Sequence, residues 1–452
     1  MDNRIQVTSS VSNGEDHDVP IDLGIIQRVS IADLDVTTFC DKYLLPNRPV
    51  LITELVSQWG AFQQWDSLDA FLALYGDRKA PNDGCDENIS CREEERCRTV
   101  RQCLENETSA IYVKDWHLQK ELETEERLGE TDRTSPSARS RPQEHDEHLS
   151  TKALYADLLP AFLGGSPVFD WLNHSMIEEE DYRFVYVGRK GTCTNMHFDV
   201  ACSYSWSANI CGYKRWRLFR DTDLERLLDE KRNIKDLDFK NPDAWEEVQV
   251  DGGEKGDPSR RILRSSYCDS QLPVSDQETP KTPLYCIEII QKPGELLFVP
   301  ACWAHMVENM TDAISINHNW LNAASLRYLY PFLLEERRNL IKEMDSWNVG
   351  QSDKKIVDLQ ADAADVSGSG GAGRNDSIDP EMLEALLQMN AACNFGLLWK
   401  LLVVGKNVLS TTTDESLMPS RIREWFKRQI GDVEEQEEAR LASKKWDCED
   451  ET

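Results

Sequence analysis

The segment TNMHFDVACSYSW, Thr194 to Trp206, sets an imidazole and a carboxylate two residues apart, His197 and Asp199, in a stretch that otherwise reads as β-strand. Residues i and i+2 of a strand face the same way. His197 and Asp199 therefore project together, and Phe198 points to the opposite side, free to pack. That suits two neighbouring ligands on one metal. The best third candidate is His305, in FVPACWAHMVEN, which follows a Pro293-Gly294 turn in the same strand-rich region. Two histidines and a carboxylate on one face leave open positions around an octahedral ion, an arrangement that suits non-haem Fe(II) oxygen chemistry. Alone, an H-x-D pair is a weak signal, and a histidine after Trp303 also reads as a satisfied core residue.

These residues need strands to hold them. DYRFVYVG alternates Tyr182, Phe184 and Tyr186 against Arg183, Val185 and Val187. WSANICGYKRWRLFR gives two short strands broken at Gly212. LYCIEIIQKPGELLFVPACWAHMVENM and DAISINHNWLN continue the pattern, with a turn at Pro293-Gly294 and a strand end at Pro300. Several strands joined by turns, with no alternating helices, predict a β-sandwich or jelly roll. Residues 1–20 read as a flexible tail. Residues 21–118 form a helix and strand region packed on the barrel. In it, WDSLDAFLALYG has Asp66 or Ser67 as N-cap and Gly76 as stop, and IYVKDWHL is a compact aromatic segment. Residues 119–150 read as a charged, partly disordered insertion. The barrel occupies 151–325, with 221–282 as a long polar loop insertion. Residues 326–452 are helical, with a flexible linker at 366–377. There, LLQMNAACNFGLLWKLLVV is apolar on more than one side and needs a partner, either the barrel's outer face or a second subunit in a homodimer.

Composition narrows the function. The chain of 452 residues carries 81 acidic against 51 basic side chains, a net charge of −30. That argues against a nucleic-acid partner and against docking on anionic lipid. No run approaches the ~18 apolar residues of a membrane span. The polar, acidic N-terminus resembles neither a signal nor a transit peptide. Thirteen scattered cysteines, an odd number, suggest reduced thiols in the cytoplasm, with a nuclear pool equally compatible. Cys85, Cys91, Cys97 and Cys103 recur every six residues, which places successive thiols about 240° apart on a helix. Zinc sites pair their cysteines more closely, and coincidence explains the run better than a structural metal.

Taken together, GTCTNMHFD, SYSWSANICGYKRWRLF, KPGELLFVPACWAH and AISINHNW resemble the JmjC-domain 2-oxoglutarate and Fe(II)-dependent oxygenases, and RPVLITELVSQW and YVKDWHL resemble the small, hydroxylase-type members. The resemblance covers roughly residues 40–335 apart from the two insertions. It implies a double-stranded β-helix (a jelly roll, the cupin-like JmjC barrel) with N-terminal and C-terminal helical elements. It implies that His197, Asp199 and His305 hold Fe(II), that 2-oxoglutarate and O2 are consumed, and that Lys214, in GYKRW, binds the distal carboxylate of the cosubstrate. Read without it, Lys214 is a lysine held between Tyr213 and Trp216 or a surface lysine beside Arg215. The resemblance further suggests cosubstrate contacts at Thr194, Asn317 and Tyr186; the last reads equally as core packing. Some relatives place an asparagine where this chain has Ser205 and Ser207, with Asn209 nearby. His318, one residue off the Asn317 face, reads as packing. The implied reaction is hydroxylation of a lysine side-chain carbon in a protein, with a translation release factor as suspected substrate. Demethylation of a histone lysine, an RNA-modifying oxygenase and an inactive module on the same fold are the alternatives.

Overall fold

The computed structural model describes residues 26–82, 97–105, 111–133, 154–155, 158–177, 181–229, 234–235, 237–239, 241–248, 260–265, 283–359 and 379–449. Fifteen strands lie among them. They are β1 (Gln27–Ser30), β2 (Val50–Thr53), β3 (Lys79–Pro81), β4 (Cys97–Thr99), β5 (Val113–Trp116), β6 (Arg183–Gly188), β7 (Cys193–His197), β8 (Tyr204–Cys211), β9 (Lys214–Phe219), β10 (Trp245–Val248), β11 (Arg260–Ser265), β12 (Tyr285–Gln291), β13 (Leu296–Val299), β14 (Ala304–Asn309) and β15 (Ala313–Trp320). A seven-stranded sheet runs β1-β2-β13-β8-β15-β6-β5, and a six-stranded sheet runs β10-β11-β12-β9-β14-β7. Apart from the parallel β1–β2 pair, both sheets are antiparallel. This is the expected jelly roll. Gly212, between β8 and β9, is required: its φ is +80°, and a Cβ there would lie 2.0 Å from the Asp312 carbonyl oxygen.

Alternation along β8 and β15 divides the molecule. Trp206, Ala208, Ile210, Ile314, Ile316 and Trp320 face outward into the large core shared with the helices. The opposite face carries Ser205, Ser207 and Asn209, which pair directly with Asn319, Asn317 and Ser315. This polar ladder lines the space between the sheets. Elsewhere that space is apolar, filled by Leu51, Trp216, Leu218, Ile287, Ile289, Leu297, Val299 and Val307. A sandwich interior with one apolar half and one polar half is the frame of a site, because buried polar groups are retained only where something satisfies them.

Two expected insertions contain ordered structure. Residues 118–133 form a helix, Leu118–Arg133. Leu118 and Leu122, one turn apart, are buried; the Trp116 indole donates to Glu121 at 2.9 Å, and Arg183 holds Glu123 through two bonds of 2.8 and 3.0 Å. Its charges are thus partly spent on the barrel, and residues 134–150 lie outside the described residues. The 221–282 loop supplies β10 and β11, which extend the six-stranded sheet from β12. Ser67 is the N-cap of the Leu68–Tyr75 helix, and Gly76 follows its end. Cys103 is buried; Cys85, Cys91, the 1–20 tail and the 366–377 linker lie outside the described residues.

The C-terminal helices, Leu326–Leu359, Pro380–Ala391, Phe395–Thr411 and Ser420–Glu449, pack on the outer face. Leu383, Leu387, Leu397, Leu398, Leu401 and Leu402 join the main core, so the fold itself covers this apolar segment. Phe426 packs against Phe169 and Trp171, with ring centroids 6.0 and 6.4 Å apart. Among the described residues no single helix is long and apolar enough to cross a membrane.

Candidate metal and cosubstrate site

β7 and β14 bring the triad together. His197 is paired with His305 across the ladder, and their ring centroids are 4.3 Å apart. Asp199 follows the end of β7, where the chain turns into a 3-10 turn at Val200–Cys202. Donor atoms of His197, Asp199 and His305 lie within 4.8 Å of one another. Each donor is oriented by its surroundings. The Nδ1–H of His197 donates to the Asn195 carbonyl at 2.8 Å, and that of His305 to the Trp303 carbonyl at 2.9 Å. A carbonyl only accepts, so both imidazoles carry a proton on Nδ1, which leaves Nε2 of each as the available ligand atom. Ser205 Oγ donates to one Asp199 oxygen at 2.6 Å, and the other makes no hydrogen bond among the described residues. Burial, with His197 alongside, pushes the pKa of His305 down to about 4. Two imidazoles and a carboxylate, each fixed by a second bond, form a set that fits a divalent cation, with the donor types of an Fe(II) site.

Thr194 reaches the same face by an irregularity. His305 pairs with His197, but Val307 pairs with Thr194, so Asn195 and Met196 of β7 oppose Met306 alone of β14. The extra residue is a bulge. It turns Thr194 toward the face of His197, which simple alternation would not do. Thr194 makes no side-chain hydrogen bond among the described residues.

Lys214 is 2% exposed. Its ammonium donates to Ser315 Oγ at 2.8 Å and to the Tyr112 hydroxyl at 3.3 Å. No carboxylate pairs with it among the described residues, and burial lowers its pKa to about 7. The side-chain oxygens of Asn209 and Asn309 are buried without partners among the described residues; Asn309 lies directly across from Lys214. A buried cation without a counter-charge fits a small anionic ligand, as the distal carboxylate of 2-oxoglutarate would be. Asn317 is held by Ser207, whose Oγ donates to its carboxamide oxygen at 2.9 Å. Tyr186 pairs across from Ser315, and its hydroxyl donates to Asp115 at 2.5 Å. His318 lies on the other face, bound to Asp170 at 2.8 Å and 5.2 Å from the Trp206 ring. It packs as read and takes no part in the triad.

Sequence reading missed Tyr112 and Ser315. Tyr112 lies in the aromatic IYVKDWHL segment, but its partnership with Lys214 spans 102 residues. Ser315 was more accessible, being two residues before Asn317 on one strand face.

Comparison with known proteins agrees with this geometry. The cupin-like domain family matches residues 36–325. The chain is 30% identical over 334 residues to the arginine-specific demethylase JMJ20 of Arabidopsis thaliana, covering 70% of this chain and 62% of that protein. It is 29% identical over 335 residues to the 2-oxoglutarate and iron-dependent oxygenase JMJD4 of Danio rerio, covering 70% and 65%. More distantly, it is 23% identical over 318 residues to the bifunctional arginine demethylase and lysyl-hydroxylase psr-1 of Caenorhabditis briggsae, covering 70% and 67%. The chain thus spans somewhat under two thirds of the length of the first two relatives.

Proposed function

The chain belongs to the cupin-like domain family, in its JmjC-type branch of 2-oxoglutarate and iron-dependent oxygenases, and from that premise we propose that it hydroxylates a lysine side-chain carbon in a protein, with a translation release factor as substrate. The observation that carries the oxygenase reading is Lys214. A scaffold gains nothing from a buried ammonium with no counter-charge, whereas a 2-oxoglutarate enzyme needs one beside its metal face.

When bound, Fe(II) and 2-oxoglutarate supply oxygen activation, with succinate and CO2 as products. The protein's own residues do the rest. His197, Asp199 and His305 would hold the ion. Asn195 and Trp303 carbonyls fix the two rings, and Ser205 fixes the carboxylate. Lys214 would hold the distal carboxylate of the cosubstrate, with Tyr112 and Ser315 aiming the ammonium. Asn317 and Thr194 border the same face and add polar contacts. The apolar residues between the sheets exclude water behind the site.

The deciding experiment is 2-oxoglutarate turnover with Fe(II), with and without a lysine-containing release-factor fragment, followed by mass analysis. A gain of one oxygen on the lysine is the expected result. Turnover without modification of the fragment overturns the substrate, and absence of turnover with iron bound overturns the enzyme. Demethylation of methylated arginine is the second reading, favoured by the likeness to a plant protein named for that activity; loss of a methyl group from a methylarginine peptide would establish it.

A further inference from the structure

The strand that carries Asp115 is an edge. β5 closes one end of the seven-stranded sheet, and β7 closes one end of the six-stranded sheet. β6, the neighbour of β5, runs through a short turn into β7, so both edge strands flank the same side of the sandwich; on β5 only Val113 is also bridged, by Asn82, among the described residues. That side is where His197 sits.

On β5 the ladder is irregular. Val113 pairs with Val187 and Trp116 with Val185, so β5 carries one extra residue. Asp115 lies in that bulge with φ +56°, a conformation that costs a non-glycine residue energy. Bulges re-aim side chains, and strained backbone concentrates at functional sites. Here the aimed group is a carboxylate. One oxygen accepts from Tyr186 at 2.5 Å; the other has no partner among the described residues, and the residue is exposed. Tyr186 stands on the inner face of β6, 6.0 Å from the Tyr112 ring that flanks Lys214, and within electrostatic reach of Asp199. No arginine or lysine pairs with Asp115 among the described residues.

We propose that Asp115 is the specificity residue of this site: its free oxygen receives the cationic side chain, an ammonium or a guanidinium, of the substrate residue presented to the metal. The proposal rests on the oxygenase reading and deepens it. A carboxylate locked by Tyr186 loses little freedom on binding a cation, and a charge-assisted hydrogen bond there discriminates against neutral side chains. Tyr186 thereby acts as a positioning residue for Asp115.

The test uses fragments, so it does not depend on knowing the substrate's sequence. Mn(II) replaces Fe(II) at the triad of the full chain, with 2-oxoglutarate present. Line broadening by Mn(II) of n-butylamine, n-butylguanidine and n-butanol then reports which fragments settle near the metal, and cations held elsewhere on the acidic surface escape it. Both cations should broaden several-fold more than the alcohol in the wild type. Asp115→Asn should reduce them to the alcohol's level. Asparagine still accepts from Tyr186 and tolerates positive φ well, so the variant keeps the fold. Asp115→Glu should recover part of the preference. The larger of the two cation signals tells whether the site is tuned to lysine or arginine. Equal broadening of all three in the wild type, or an unchanged preference in Asp115→Asn, overturns the role of Asp115 while leaving the oxygenase intact. Failure of Mn(II) to bind the triad, measured separately by calorimetry, overturns the underlying reading and this inference with it.

Discussion

Among the described residues the Lys214 ammonium is buried with two hydroxyls and no carboxylate, an expensive arrangement, and burial lowers its pKa to about 7. A bound carboxylate would return the missing charge and raise that pKa. Binding of 2-oxoglutarate therefore takes up a proton above pH about 7, and affinity falls as pH rises past that point, by up to ~10-fold per unit. Calorimetry in buffers of different ionisation heat checks both statements. For the empty protein the sign is opposite. Between pH about 7 and about 10 the unfolded chain holds a proton at this lysine that the folded chain lacks, so this group adds stability as pH rises. Lys214→Met should accordingly leave folding stability undiminished while weakening 2-oxoglutarate by ~30-fold or more, the usual cost of truncating one member of a buried charge pair. Ser205 makes a second test. Its bond to Asp199 orients a ligand without touching the metal, so Ser205→Ala should lower Mn(II) affinity by ~10- to 100-fold in a calorimetric titration.

At the scale of elements, the legible features were those that obey a period. The i, i+2 spacing placed His197 with Asp199, alternation set His318 off the face of Asn317, and Gly212 marked a break between strands; Asn317 and Tyr186 came from the resemblance alone. What departs from the period was not legible. The bulge in β7 that turns Thr194 inward, and the bulge in β5 that aims Asp115, leave no composition signal, because one extra residue in a strand looks like any other. The Leu118–Arg133 helix was hidden for another reason: its charges outnumber its two buried leucines, and Glu123 is satisfied by Arg183, which is 60 residues away. Helix docking gives a test of element packing. In Phe395–Thr411, a Cβ on Gly405 would lie 2.5 Å from the Trp171 ring. Gly→Ala gains about 1 kcal/mol of helix propensity, but overpacking costs about 1–3 kcal/mol. Gly405→Ala should therefore be neutral to destabilising in urea unfolding. Gly431→Ala, where a Cβ meets nothing within 4 Å, should gain nearly the full propensity term. Equal effects at both positions would mean that the helix does not press on Trp171.

Over the whole molecule, the net charge of −30 acts on the two ligands with opposite signs. 2-Oxoglutarate is a dianion, and the distant field repels it; its binding depends on Lys214, which is buried and therefore poorly screened. A cationic peptide is drawn in by the same field before any specific contact forms. Salt shortens the reach of that field, from a Debye length of about 10 Å at 0.1 M to about 3 Å at 1 M. Raising ionic strength should thus leave the apparent KM for 2-oxoglutarate unchanged or slightly lower. The KM for a lysine-bearing substrate should rise several-fold between ~0.05 and ~0.5 M salt. The effect should fall mostly on kcat/KM rather than kcat, since steering changes encounter and not the bound geometry. If both KM values moved together, the acidic surface would have no part in choosing the substrate, and selection would fall to short-range contacts at the mouth of the barrel.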